Sequence, residues 1–236
     1  MIKLAVNGAC GRMGERIIAL SKSDKDLSVV VGLERSGHPQ LGSTVEGVKI
    51  SNDIALLKQA DCLVDFTVVT ASLERLPDCL SLRLPMVIGT TGFNQEQVSQ
   101  IRQAAKLIPI VFSPNMSLGV NLIFSLLPKM ASALKGYQVR ITEAHHVHKK
   151  DAPSGTAKKM LEIIEKASLR KIEDIKSIRE GEIVGDHEVI FDSTFDTISL
   201  KHSAKTRDIF AQGALLAAKW VVHKRKGLFT IEDCLS

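Results

Sequence analysis

The sequence predicts an α/β protein: an N-terminal domain built on a parallel sheet, followed by a second, α+β domain with an open sheet. Three observations predict it. Short apolar, β-branched runs alternate with helical stretches up to about residue 117. A glycine-rich turn directly follows the first of those runs. Beyond residue 117 the texture changes to one long apolar helix and strands of alternating polarity. With 236 residues the chain is long enough for two closely joined domains, each with its own core.

Residues 2–7 (IKLAVN) are apolar and run straight into glycines, the pattern of a buried strand. A helix is expected over 14–20. Residues 27–33 (LSVVVGL) form the second β-branched run, 62–66 (CLVDF) the third, 85–88 the fourth and 108–112 the fifth, with helices over 71–81 and 95–105 between the later ones. Strands that alternate with helices give a parallel sheet covered on both faces. Residues 120–134 then read as a helix. Residues 137–144 alternate, with Val139 and Ile141 on one face, as a half-buried strand does. A helix over 157–164 follows, then two antiparallel strands over 188–193 and 196–201 joined by a tight turn. The final helix, 210–223, is stopped by the basic run at 223–226 and by Gly227. The expected division is a nucleotide-binding domain at 1–116, a substrate-binding and oligomerisation domain at 117–206, and a C-terminal segment, 207–236, that packs back on the first.

The net charge of +5 raises the question of nucleic acid, but one Trp and one Tyr supply few stacking surfaces for bases, and no zinc-finger spacing or RNA-binding aromatic motif is present. Positive charge equally suits an enzyme with anionic ligands. No apolar run reaches the length that spans a bilayer, and the N-terminus lacks a signal-peptide layout. The four cysteines are scattered, with no CxxC pair, as reduced thiols of a cytosolic protein are. The expectation is a cytoplasmic protein without nucleic-acid or membrane partners.

The turn after the first run reads Gly8-Ala9-Cys10-Gly11-Arg12-Met13-Gly14. It is a GxxGxxG variant of the dinucleotide fingerprint and is weak alone. Its context strengthens it: it leaves a strand, opens a helix, and begins a βαβ succession, the arrangement of a Rossmann domain. Glycines there allow the turn and let backbone N–H groups approach a pyrophosphate at the helix N-terminus. Glu34 closes the second run, where a carboxylate accepts hydrogen bonds from the adenosine ribose. Arg35 beside it is placed for a 2′-phosphate. Together they predict use of NADPH, NADH or both. Cys10 is given no chemistry of its own beyond its place in the turn. Three further loops leave strand C-termini, the edge where such sheets bind ligands: Asp65-Phe66-Thr67, Gly89-Thr90-Thr91-Gly92 and Ser113-Pro114-Asn115-Met116. The second is suited to the nicotinamide ribose.

The densest chemistry lies in EAHHVHKKDAPSGTA, residues 143–157. His145 and His146 titrate near neutrality, and Lys149 offers a positive charge or a proton. The turn Pro153-Ser154-Gly155-Thr156 opens a helix, whose amides form a site for a carboxylate. A rival reading is a metal site made by Glu143, His146 and His148 on one strand face. Metal sites draw ligands from more than one segment, and no matching Cys/His cluster is visible elsewhere, so the expectation is no metal.

This stretch closely resembles the signature of the dihydrodipicolinate reductase family, and the resemblance runs nearly end to end. NGACGRMG, GLERSG, VDFT, VIGTTGF, SPNMSLGVN, REGEIVGDHEVIF, HSAKTRDIFAQGA and GLFTIEDCL all look like family blocks in the family's order. The resemblance implies hydride transfer from NADPH or NADH to C4 of a cyclic dicarboxylate, with loss of water, in lysine and diaminopimelate biosynthesis. By position, it implies that His145 is the catalytic histidine and Lys149 the proton donor. His146, Gly155 and Thr156 would hold the substrate carboxylates. Gly8, Ala9, Cys10, Gly11, Arg12, Met13, Glu34, Arg35, Gly89, Thr90, Thr91, Ser113, Pro114, Asn115 and Met116 would bind the cofactor. The residues themselves leave open which of His145 and Lys149 delivers the proton. The family also implies a homotetramer formed through the open sheets. Between the DAPSGTA helix and REGEIVGDHEV the chain is shorter than a usual member, which bears on the tetramer contacts rather than on the chemistry.

Overall fold

A computed structural model describes residues 1–172 and 175–235. The chain divides into two compact units, Met1–Ser117 with Asp208–Ser236, and Leu118–Arg207. Among the described residues no helix is long and apolar enough to cross a membrane.

The first unit is built on an eight-stranded sheet. Its strands are β1 (Ile2–Asn7), β2 (Leu27–Leu33), β3 (Thr44–Val45), β4 (Val48–Ser51), β5 (Cys62–Asp65), β6 (Met86–Ile88), β7 (Pro109–Phe112) and, from the C-terminal segment, a last strand at Gly227–Phe229, in the spatial order last strand, β7, β6, β5, β1, β2, β4, β3. Every pairing is parallel except β3 with β4. Leu4, Leu63, Met86, Ile88 and Ile110 are fully buried, as both-face coverage of a parallel sheet requires. Its helices are α1 (Arg12–Ser21), α2 (Val69–Leu82), α3 (Gln95–Ala104) and the final helix Asp208–Val221. A reciprocal capping box between Asn94 and Gln97 starts α3. The final helix is almost all Ala, Gly and Leu where it is buried. A Cβ on its Gly213 would stand 1.8 Å from the Met116 carbonyl oxygen, so only glycine lets the helix approach that strand end.

Three short strands were not legible in the sequence. The β3–β4 hairpin turns on Glu46 (φ 51°) and Gly47 (φ 85°), and its strands of two and four residues are too short to show a period. Gly227, expected only as a helix stop, also begins an edge strand beside β7.

The second unit comprises α4 (Leu118–Ala133), β8 (Gln138–His145), α5 (Gly155–Ser168), β9 (Ile175–Arg179), β10 (Asp186–Asp192) and β11 (Thr197–Ser203), with sheet order β11-β10-β8-β9. β8 pairs in parallel with β9 and antiparallel with β10. In chain order the final helix is therefore α6 and the last strand β12. Leu127, Ile141, Met160, Ile164, Val189 and Phe191 form the buried core between α4, α5 and the sheet. The alternation that buries Ile141 continues to Glu143 and His145, so two ionisable residues enter the helix-covered side of the sheet by strand period alone. Helix α5 starts at Gly155, two residues before the expected 157, because the Ser154 hydroxyl caps it by accepting the Ala157 N–H at 3.2 Å. Strand β9 was not anticipated: IKSIR has too few apolar residues to declare itself, and it is an edge strand.

Candidate functional site

In the first unit the turn after β1 is held by its own backbone. Gly8 takes φ +74°, and the N–H groups of Gly8 and Ala9 both donate to the Leu33 carbonyl, at 2.9 and 3.1 Å. A Cβ on Gly14 would lie 2.1 Å from the Gly8 oxygen, so the first turn of α1 can close on the loop only with glycine there. The Cys10 N–H donates to Glu34 Oε1 at 3.0 Å, and that of Gly11 to the Gly8 oxygen at 3.0 Å. The donors that helix geometry directs out of the N-terminus of α1 are the amides of Arg12, Met13 and Gly14. Beside them opens a cavity of about 750 Å³ lined by Gly8, Cys10, Gly11, Arg12, Met13, Glu34 and Arg35 among others. Arg12, Arg35 and Arg75 line this one cavity together with two carboxylates, Glu34 and Glu74. That donor set fits an anionic dinucleotide: amides and cations for phosphates, a carboxylate for a ribose.

Other residues expected to touch a cofactor stand differently. Ala9 is fully buried, with its Cβ toward Gly32. Gly89 abuts the Phe66 ring, where a Cβ would come within 2.3 Å. Thr90 is buried, and its hydroxyl donates to Asp65 Oδ1 at 2.9 Å while accepting the Thr67 N–H at 2.9 Å. The Asp65 carboxylate also accepts from Asn7 Nδ2 and from the Thr67 and Ser72 hydroxyls. It thereby ties together the C-terminal ends of β1, β5 and β6. Thr91 is exposed. The Ser113 hydroxyl donates to the Asn115 oxygen at 2.8 Å, Pro114 is exposed, and Met116 is buried against Gly213. Gly89, Thr90, Thr91 and Ser113–Met116 lie at strand ends of the same sheet but outside the lining of the 750 Å³ cavity.

The cavity brings Cys10, Glu34 and His38 within 4.8 Å of one another, the one group of three such ligand types among the described residues. The sequence had shown no such cluster. Burial, then Glu34 and Glu15, push the Cys10 thiol up from its ordinary pKa, so it stays a thiol. Glu143, His146 and His148, weighed as a metal set, do not converge. Strand β8 ends at His145, so the alternation that would align them stops, and Glu143 is engaged elsewhere.

In the second unit Glu143 is fully buried and is the hub of the site. Arg179, at the end of β9, donates Nη1 to its Oε2 at 3.0 Å and Nη2 to its Oε1 at 2.8 Å. His145 Nδ1 hydrogen-bonds to Oε2, and the Ser154 N–H donates to Oε1 at 3.3 Å. Burial opposes the charge of Glu143, but the hydrogen bonds from Arg179, Ser177 and His145 outweigh it and hold the carboxyl below its usual range. Burial also lowers the pKa of His145. Glu143 opposes that shift, Lys149 and Arg179 add to it, and the net direction is down. At neutral pH the pair is a carboxylate beside a neutral imidazole.

Arg179 reaches the loop as well, through Nε to the Lys149 oxygen at 3.3 Å and through Nη2 to the Asp151 oxygen. Lys149 Nζ pairs with Asp151 Oδ1 at 2.7 Å, a contact that holds the Asp151 carboxyl down. The loop is further fixed by backbone bonds from the His146 N–H to Ile183 (2.7 Å) and from Val147 to Gly181 (3.2 Å). Gly155 and Thr156 occupy the first two positions of α5, whose amides face the helix N-terminus. His146 Nδ1 is buried with no protein hydrogen-bond partner, as is His187 Nδ1. His187 sits opposite Glu143 on β10, its ring 5.1 Å from that of His145, and its Nε2 lies 3.2 Å from the Ser154 hydroxyl. Burial, then His145, lower its pKa to about 4.

His145, His146, Lys149, Gly155 and Thr156 thus share one end of the second unit's sheet. Sequence reasoning gave no role to Arg179 or His187, and saw Glu143 only as a metal ligand. The signal was there: Arg179 opens the block REGEIVGDHEV and His187 lies near its end, but nothing in a linear pattern tells which strand will lie beside which.

Comparison with known proteins bears on both units. The family model described as Dihydrodipicolinate reductase, N-terminus, matches residues 2–116, and that described as Dihydrodipicolinate reductase, C-terminus, matches residues 119–235. The chain is 42% identical to the 4-hydroxy-tetrahydrodipicolinate reductase of Nitrosomonas europaea, over 99% of this chain and 98% of that one. It is 40% identical to the enzyme of the same name from Geotalea uraniireducens, over 100% and 99%. These alignments span 262 and 264 positions, more than the chain's own length. Among solved structures, a dipicolinate-bound dihydrodipicolinate reductase from Paenisporosarcina sp. TG-14 superposes with a TM-score of 0.85 at 23% identity, covering 99% of each chain.

Proposed function

The chain belongs to the dihydrodipicolinate reductase family, and from that membership we propose how its two units divide the family's reaction. The activity is pyridine-nucleotide-dependent reduction of 4-hydroxy-tetrahydrodipicolinate to tetrahydrodipicolinate in lysine and diaminopimelate biosynthesis. Overall, C4 of the substrate ring gains a hydride, and its hydroxyl leaves with one proton as water.

The first unit holds the nucleotide. The N-terminal amides of α1 and the guanidiniums of Arg12 and Arg35 take the phosphates, and Glu34 takes the adenosine ribose. A bound reduced nicotinamide supplies the hydride. The second unit holds the diacid. The Gly155 and Thr156 amides and His146 take its carboxylates, in keeping with the buried, unsatisfied His146 Nδ1. With Nδ1–H given to Glu143, the neutral His145 presents a lone pair at Nε2, so the proton comes from the Lys149 ammonium. The observation that carries this reading is the charged brace Arg179–Glu143–His145 beside the Ser154-capped N-terminus of α5: fixed donors at one strand end, where a small diacid can be oriented.

Absorbance at 340 nm, followed with enzymatically generated substrate and NADPH or NADH, tests the activity; a folded protein that leaves the signal flat ends the reading. Lys149→Ala should lower kcat roughly 10²-fold; full kcat in that variant would return the proton to His145. Arg35→Ala should cut the kcat/KM preference for NADPH over NADH about tenfold, the loss of one charge-assisted phosphate contact. An unchanged ratio removes Arg35 from cofactor choice. Cytoplasmic location and a homotetramer belong to the same reading, and light scattering checks the tetramer.

A further inference from the structure

The brace that fixes His145 has two members, Glu143 and Arg179, that lie behind the imidazole. We propose that Glu143 and Arg179 are positioning residues: Glu143 locks His145 in the tautomer with the proton on Nδ1, and Arg179 locks the Lys149 backbone to that same carboxylate. This rests on the reductase reading and deepens it.

The geometry carries the argument. Glu143 is fully buried, yet both its oxygens are used: Oε2 by His145 Nδ1 and Arg179 Nη1, Oε1 by Arg179 Nη2 and the Ser154 N–H. An ionised carboxylate only accepts, so the shared proton must reside on His145 Nδ1, and Nε2 is left as the outward acceptor. In an unconstrained imidazole nothing enforces that choice. Arg179 adds a second function. Its guanidinium is spread between Glu143 and the carbonyls of Lys149 and Asp151, so one rigid fork spans the histidine's partner and the backbone that carries the lysine. The register of β8 and β9, which pairs His145 with Arg179, puts the fork there. The groups that face the imidazole are Glu143 on its own strand, Arg179 on β9, His187 on β10 and Lys149 on the loop. Glu143 is the only anion among them, so it alone opposes the downward pull of burial and of the cations.

The test reads His145 directly. In protein with ¹⁵N-labelled histidine, two-bond ¹H–¹⁵N correlation at pH 7.5 should show His145 as the Nδ1–H tautomer; a predominant Nε2–H tautomer overturns the proposal. In Glu143→Gln the amide NH₂ can donate to Nδ1, so the signal should move toward Nε2–H. With the only facing anion removed, the limb of the pH–kcat profile that reports His145 should shift to lower pH. Its kcat should fall roughly 10²-fold, with KM changed less than kcat. An unchanged tautomer and an unmoved limb would reduce Glu143 to a structural carboxylate. Arg179→Lys, which keeps the charge but not the fork, should lower kcat while leaving the His145 tautomer intact, because Glu143 remains; wild-type kcat there removes Arg179 from the proposal. The wild-type spectrum needs neither a folded variant nor turnover, so it decides the Glu143 claim if a variant fails to fold. It also stands apart from the reductase reading, whose failure shows as a flat 340 nm trace in wild-type protein.

Discussion

The two units build their sites from opposite materials. In the first, the candidate cavity is made by what is missing: Gly14 has no Cβ where the Gly8 oxygen passes at 2.1 Å, the turn's own amides are spent on its backbone and on Glu34, and the amides left over are those that open α1. In the second, the candidate site is made by what is crowded in: a fully buried glutamate, an arginine fork, two buried histidines and a capping serine. A backbone site fails by steric intrusion and is indifferent to pH. A side-chain site fails by loss of a partner and is not.

Removing a partner should give the largest effect. Arg179→Met leaves the buried Glu143 charge uncompensated, a change that costs about 3–5 kcal/mol. Hydrogen exchange should show it as faster opening of β8–β10 with the first unit's sheet unaffected; equal loosening of both units would mean that the two sites do not fail separately. The steric counterpart is Gly14→Ala, whose methyl group must displace the Gly8–Ala9 backbone at a cost of about 3 kcal/mol. It should weaken nucleotide binding while the exchange pattern of the second unit stays fixed, and native-like affinity would refute a backbone-built site.

The contrast should sharpen as pH falls. His187 has a folded pKa of about 4, below its ordinary value, so between about pH 6.5 and 4 the unfolded chain takes up a proton that the folded chain refuses. Its contribution is complete above that window and is lost on acidification, by something on the order of 3 kcal/mol. Glu143, also held below its ordinary pKa, loses its contribution at lower pH still. His187→Gln should therefore flatten the fall of unfolding free energy between pH 6.5 and 4; a slope identical to that of the parent would show that His187 is not held neutral. The smallest effect belongs to Thr90→Val, which withdraws one hydroxyl from Asp65 and should cost the first unit about 1–2 kcal/mol. A null result would mean that the other donors to Asp65 suffice.

The same contrast explains what the sequence disclosed. Glycines mark a backbone site because their spacing is local: Gly8, Gly11 and Gly14 fall within one turn and the helix that it opens, so position along the chain is position in space. The five principal strands of the first unit were legible for a related reason, since strands buried on both faces are continuous apolar runs. The side-chain site was half legible. His145, His146, Lys149, Gly155 and Thr156 are near one another in the chain and showed as a cluster. Arg179 and His187 arrive from 30 and more residues away by strand pairing, and a five-residue edge strand such as β9 gives no periodicity to announce it. Thr90 is a different case: a hydroxyl on a loop at the ligand edge reads as a ligand contact, and within the protein its partners are Asp65 and Thr67.

The pairing of His145 with Arg179 across a parallel ladder has a consequence for how this chain tolerates change in length. The fork's place is dictated by hydrogen-bond register, not by how much polypeptide joins α5 to β9. In general the closure cost of a loop grows only as the logarithm of its length, roughly 0.6 kcal/mol for each doubling. A change of length there therefore leaves the His145–Arg179 register in place, which makes the connection a port for inserting a tag, a reporter or a second domain.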